Sequence, residues 1–296
     1  METNITPSQI RSQRRVARRG REDRRKAKFD MKTSPVASEG VSGMKLKITY
    51  DDLDEHQMKS YKVIHRWCDT GARNPLILSG YAGTGKTSLL SVALPSLCNA
   101  DGSFVRVVFS SYTGKAAQVL KNKGLEAQTV HSLIYDVVPV NGDSSEVEFV
   151  LRDASSIPYE LIVVDEASMI PKSIRTDLES LGIPLLFVGD GGQLPPIEGT
   201  GNIMDTPHYK LEEVHRQALD SGIIRVATDV RRGITVVKGK YGVKGDAVKV
   251  GKSHGEDLDF IAKHDMVICY TNATRHSLNE ALREYKGFSG RYPQVG

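Results

Sequence analysis

A chain of 296 residues, 39% hydrophobic and 26% charged, suffices for one large or two modest soluble globular domains, which excludes whole-chain disorder, a collagen repeat or a disulfide mini-scaffold. No apolar run approaches the ~18 residues of a membrane-spanning helix, and the arginine-rich start lacks the apolar stretch of a secretory signal, so the chain is expected in the cytoplasm with no membrane partner. The net charge of +4 is uneven: residues 1–43 hold 11 lysines and arginines against 5 acids, leaving the remainder slightly acidic.

The basic arm, from Arg11 to Lys28, gives way to a linker rich in serine, glycine and proline over residues 33–43, and has too few apolar residues to fold alone. Phosphate neutralisation by such an arm makes nucleic acid, RNA included, one candidate partner. A solvated tail is the alternative. A third reading starts the folded protein at Met44, where Met44-Lys-Leu-Lys-Ile-Thr-Tyr50 resembles a domain opening.

Residues 53–69 are predicted to be a helix capped by Asp51 or Asp52. Apolar runs at 76–79, 105–109, 161–164, 185–188 and 266–270 have the length and composition of buried strands. Amphipathic stretches near 86–98, 114–122, 171–181, 220–232 and 273–286 supply helices between them. The alternation defines an α/β protein with a parallel sheet. Residues 135–151 interrupt it with two β-prone arms around Asn141-Gly142, an inserted hairpin. Cys68, Cys98 and Cys269 are scattered, without CxxC pairs or clustered histidines, and read as reduced structural thiols.

Gly80-Tyr-Ala82-Gly83-Thr84-Gly85-Lys86-Thr87 is a complete GxxxxGK[ST] loop between a strand and a helix. Its glycines let backbone N–H groups surround phosphate oxygens at a helix N-terminus, Lys86 serves the β- and γ-phosphates, and Thr87 offers Mg²⁺ a hydroxyl. The expected ligands are therefore ATP and Mg²⁺, with Ser88 closing the loop. Strand 161–164 ends in Asp165-Glu166; Asp165 is assigned to the metal and Glu166 to the attacking water. Strand 185–188 leads to Gly189-Asp190-Gly-Gly-Gln193, where Asp190 and Gln193 are placed to sense the γ-phosphate.

These motifs, in this order, resemble superfamily 1B DNA helicases of the RecD/Dda group. The resemblance covers residues 50–286 and implies a first RecA-like domain over 44–207, with the hairpin (about 135–153) as strand-separating pin, and an incomplete second RecA-like domain over 208–296. It assigns adenine reading to Gln57 and single-stranded DNA contacts to Thr113, Lys115, His131 and Ser132. Arg216 becomes the arginine finger, acting with Lys86, Glu166 and Gln193. The implied activity is ATP-driven 5′–3′ DNA translocation and unwinding, as in phage replication and recombination. No segment after Arg283 resembles motifs V and VI, so the sequence reads as a fragment, one part of a split motor completed by a second polypeptide, or a degenerate protein. The competing function is a nucleotide-dependent nucleic-acid-binding module with little ATPase activity.

Overall fold

The computed structural model describes residues 48–288 except 72–73, 100, 141–142, 195, 197–201 and 212–219. It has two compact units, one ending at His215 and one beginning at Arg216.

In chain order the first unit contains α1 (Glu55–Asp69), β1 (Leu76–Gly80), α2 (Lys86–Ala93), β2 (Val107–Ser111), α3 (Gly114–Asn122), β3 (Ala127–Thr129), α4 (Val130–Ile134), β4 (Tyr135–Val140), β5 (Asp143–Leu151), β6 (Leu161–Asp165), α5 (Lys172–Ser180), β7 (Leu185–Gly189) and β8 (Tyr209–Leu211). Six strands form one parallel sheet in the order β3-β2-β6-β7-β1-β8. β7 lies between β1 and β6, so the carboxyl ends carrying Gly80, Gly189 and Asp165 are neighbours.

The central strands are apolar at successive positions because both sheet faces are covered. Leu76, Leu78, Val163, Leu186 and Val188 join one core layer with Ile64 of α1 and Leu89 and Leu90 of α2. Ile77, Ile162, Val164 and Phe187 face a second layer with Leu133 of α4 and Leu178 of α5. Burying one such aliphatic side chain contributes roughly 1.5–3 kcal/mol, so the sheet is the rigid platform for its loops.

α1 is capped by Asp54, whose side chain accepts from the Gln57 N–H, rather than by Asp51 or Asp52, which sit in a preceding 3₁₀ turn. α2 stops at Ala93 instead of continuing to 98, because Pro95 cannot continue the helical hydrogen bonds. The expected strand at 105–109 is displaced to Val107–Ser111, its two serines drawn into the sheet by pairing with β6. β8 pairs in parallel with β1, and the Ile77 N–H donates to His208 Nδ1, so the first unit continues beyond residue 207. The hairpin forms as expected, with a register shift after Pro139; its Asn141-Gly142 turn lies outside the described residues.

The second unit contains α6 (Gly222–Arg231), an antiparallel pair of β9 (Gly239–Tyr241) and β10 (Ala247–Lys249), α7 (Leu258–Ile261) and α8 (Asn272–Tyr285). α6 and α8 agree with the sequence reading, α7 is an additional short helix, and the strand expected at 266–270 is absent. Ile268 is 88% exposed and Tyr270 93%, with no neighbouring strand among the described residues to satisfy this backbone. An apolar run specifies a strand only where a sheet receives it.

Candidate active site

The loop between β1 and α2 is shaped by backbone requirements. Gly85 caps α2 at φ 73° and Gly83 has φ 82°, both in the left-handed region that glycine occupies without a Cβ penalty. At Gly80 the constraint is space: an added Cβ would lie 2.8 Å from Thr84 Oγ1 and 3.0 Å from Leu211 Cβ. Thr84 is buried and its hydroxyl donates to the Tyr81 carbonyl, fixing the turn from inside. Lys86 Nζ donates to the Gly80 carbonyl at 2.6 Å and to Tyr81 at 3.2 Å, which folds the ammonium over the loop.

A cleft of about 490 Å³ opens beside this loop. It is lined by Gly83, Gly85, Lys86, Thr87 and Ser88 of the loop and α2, by Asp165 and Glu166, and by Ala116 and Lys123 from the α3 region. Ala82, expected among the nucleotide-binding residues, is exposed on the loop and does not line the cleft. Lys123 is absent from the sequence-based set; a lysine ending an amphipathic helix carries no local signal. Its charge nevertheless reaches the site, acting with Lys86 to favour ionised Asp165.

Burial dominates the two acids and pushes both carboxyls upward. For Asp165 the rise is opposed by the Glu166 backbone N–H and by Lys86 and Lys123. For Glu166 the Asp165 charge adds to the rise, while Lys86 and a hydrogen bond from Gln193 oppose it. Glu166 adopts φ 54°, the only positive φ at a non-glycine among the described residues, and its Oε2 is buried without a hydrogen-bond partner. Gln193 also accepts from Ser168 at 3.2 Å, linking the segment after β7 to that after β6. Asp190 is buried and accepts from the Gly192 N–H, so it holds the turn that presents Gln193.

Gln57, to which the resemblance gives adenine reading, lies against the phosphate loop. It is 2% exposed; its Nε2 donates to the Thr84 and Gly85 carbonyls at 3.4 and 3.3 Å, and its Oε1 accepts from the Asp54 N–H at 3.1 Å. The amide therefore braces the phosphate loop against α1.

The expected DNA contacts gather at another part of the same sheet edge. Thr113 caps α3 by accepting from the Ala116 N–H, Lys115 is exposed, and Ser132 pairs with Thr129, the cap of α4. His131 is half-buried with its ring centroid 5.5 Å from that of Tyr112 and 5.9 Å from that of Tyr135. Arg216 lies outside the described residues.

Whether the cleft suits a divalent cation is decided by its donors. Thr87 and Asp165 offer hard oxygens at one cleft, and the unpaired Glu166 Oε2 lies beside them. Among the described residues no group of three His, Cys, Asp or Glu could hold a metal alone. That combination fits Mg²⁺, which is commonly held by one or two protein oxygens together with substrate phosphates and water. No described helix is long and apolar enough to cross a membrane.

The parallel sheet and its glycine loop, with paired acids two strands away, define a P-loop nucleoside-triphosphate-binding domain. The chain belongs to the AAA domain family, matched over residues 57–269, and is similar to helicases of the RecD and Dda group. The ATP-dependent DNA helicase dda of Enterobacteria phage T4 is 28% identical over 266 residues, covering 80% of this chain and 58% of the relative. The ATP-dependent RecD2 DNA helicase of Deinococcus radiodurans is 32% identical over 166 residues, 53% of this chain and 22% of the relative. A solved structure of Bacteroides Pif1 bound to single-stranded DNA aligns at 19% identity and TM-score 0.46, over 77% of this chain and 56% of that one. The chain thus spans a little over half the length of the phage helicase.

Proposed function

We propose that this chain is the nucleotide-hydrolysing portion of an ATP-dependent motor that moves 5′ to 3′ on single-stranded DNA. The observation carrying this reading is the convergence of the Gly80–Thr87 loop, Asp165, Glu166 and Gln193 at adjacent strand ends. The phosphate loop binds the triphosphate through its backbone N–H groups, and Lys86 leaves its carbonyl partners to balance γ-phosphate charge. Glu166 accepts the proton of the attacking water, while Gln193 holds the carboxylate oriented. Thr87 and Asp165 would hold Mg²⁺, which when bound neutralises charge on the phosphate oxygens.

The nucleic-acid track is assigned to Thr113, Lys115, His131 and Ser132. β2 places Thr113 three residues after Ser110, and β2 pairs directly with β6, the strand bearing Asp165, so nucleotide and nucleic-acid segments share one rigid support. Contacts through phosphate and sugar give little sequence preference. Arg216 remains the proposed finger. A second polypeptide that completes the motor, and RNA as a ligand of the basic arm, belong to the same proposal.

The test is phosphate release with and without single-stranded DNA, using the full chain and its Lys86→Ala and Glu166→Gln variants. DNA-stimulated release lost in both variants supports the motor. ATP binding without turnover returns the binding-module reading, and unchanged hydrolysis in both variants rejects the site.

A further inference from the structure

Among the described residues only two buried side-chain polar atoms lack a hydrogen-bond partner, Ser111 Oγ and Glu166 Oε2. A buried polar atom left unpaired is destabilising, so each one needs a reason. Glu166 is assigned to the attacking water, which accounts for the second. Nothing in the proposed hydrolysis uses the first. Both atoms nevertheless belong to neighbours of Asp165, Glu166 along the chain and Ser111 across the sheet.

Ser111 ends β2, Asp165 ends β6, and the parallel register pairs their Cα atoms directly. Alternation decides which way they face. Val107 and Phe109 of β2, with Leu161 and Val163 of β6, belong to the core layer of α2, whereas Val108, Ile162 and Val164 belong to the other layer. Ser111 and Asp165 continue the first series, so the two side chains stand side by side on the face covered by α2, whose first residue is Lys86. Neighbouring strands run about 4.8 Å apart, within reach of a hydroxyl and a carboxylate turned towards each other. Ser111 is 1% exposed, so solvent does not serve its hydroxyl, and an apolar residue like Val107 or Phe109 would suit the packing. Ser110, on the opposite face, is already satisfied by donating to the Val163 carbonyl at 3.3 Å.

We propose that Ser111 is a positioning residue for Asp165, donating its hydroxyl to the carboxylate when Asp165 turns to hold Mg²⁺. This inference rests on the assignment of Asp165 to the metal in the motor reading. A carboxylate with one oxygen held by a neighbour presents the other in a fixed direction, and such outer partners strengthen metal sites.

The experiment measures the affinity of the full chain for a fluorescent, non-hydrolysable ATP analogue in excess Mg²⁺ and in EDTA. The ratio of the two affinities isolates what the protein adds to metal binding. Ser111→Ala is expected to lower the ratio about 10-fold, the lower end of what outer partners of metal ligands contribute, with affinity in EDTA within about twofold of wild type. Ser111→Cys fills the space with a weak donor and should resemble alanine. Ser110→Ala should keep the wild-type ratio. In EDTA, Ser111→Ala should melt at or above wild type, since it removes an unpaired buried hydroxyl. A wild-type ratio in Ser111→Ala, an equal fall in Ser110→Ala, or a clear drop in melting temperature overturns the proposal and leaves the motor reading standing. A wild-type ratio in Ser111→Cys beside a loss in Ser111→Ala assigns the residue to packing and also overturns it. A wild-type chain that binds the analogue equally with and without Mg²⁺, or not at all, overturns the assignment of Asp165 as well.

Discussion

Replacing Gln57 by alanine separates two functions for one glutamine. Its amide makes hydrogen bonds of 3.4 and 3.3 Å to the Thr84 and Gly85 carbonyls and one of 3.1 Å from the Asp54 N–H. Each contributes about 0.5–1.5 kcal/mol, and the two long ones belong at the lower end, so the variant should lose about 2–3 kcal/mol. In a domain of this size that lowers the melting temperature by roughly 4–10 °C. The loosened loop must then be ordered by its ligand, so affinity should fall for every phosphate-bearing ligand alike. Calorimetric titration with ATP, GTP and inorganic tripolyphosphate checks this, with equal fractional losses expected for all three. A loss confined to ATP, with tripolyphosphate unaffected, would refute the brace and restore adenine reading.

Glu166→Gln should reduce hydrolysis by about 10²–10⁴-fold while nucleotide binding persists, measured by phosphate release against fluorescent-nucleotide binding. Because burial raises this carboxyl, the folded protein holds a proton that the unfolded chain has released. Stability therefore declines as pH climbs through the carboxylate range, and the full loss is present above the folded pKa. The glutamine variant should melt higher than wild type at pH 8 and equally at pH 4; the reverse order contradicts the burial argument. Hydrolysis by wild type should show an acid limb above the ordinary glutamate value of 4.5. Gly80→Ala should cost about 1–3 kcal/mol by overpacking and abolish nucleotide binding, because its Cβ would press on Thr84 and Leu211; normal binding would show that the loop can shift. Ile268→Lys should change stability by less than about 0.5 kcal/mol in chemical denaturation, since the side chain is almost wholly exposed.

The phosphate loop was legible because its glycines meet backbone demands no other residue meets, and β1, β6 and β7 because burial on both faces leaves continuous apolar runs. β2 was misplaced by two residues since Ser110 and Ser111 look like loop residues until pairing with β6 buries them. β3 and β8 are three residues each, too short to show a period. The 266–270 run failed in the opposite sense: local composition announced a strand, but pairing is a non-local property. At the site, Asp165 and Glu166 were identifiable from their place at a strand end, whereas the second cation at Lys123 and the inward turn of Gln57 arise from tertiary contacts. Ser111 was hidden for the same reason, since only the register of β2 against β6 brings it beside Asp165.

The backbone at residue 166 sets local comfort against usefulness. A left-handed conformation disfavours a side chain by roughly 1–2 kcal/mol, so glycine there would relax the chain and, by that measure alone, make a sturdier protein. It would also remove the carboxylate assigned to the attacking water and leave only Asp165 at the end of β6. The fold keeps a small tension at the residue whose carboxylate is assigned to the attacking water, and a screen that selected only for heat resistance would tend to erase it.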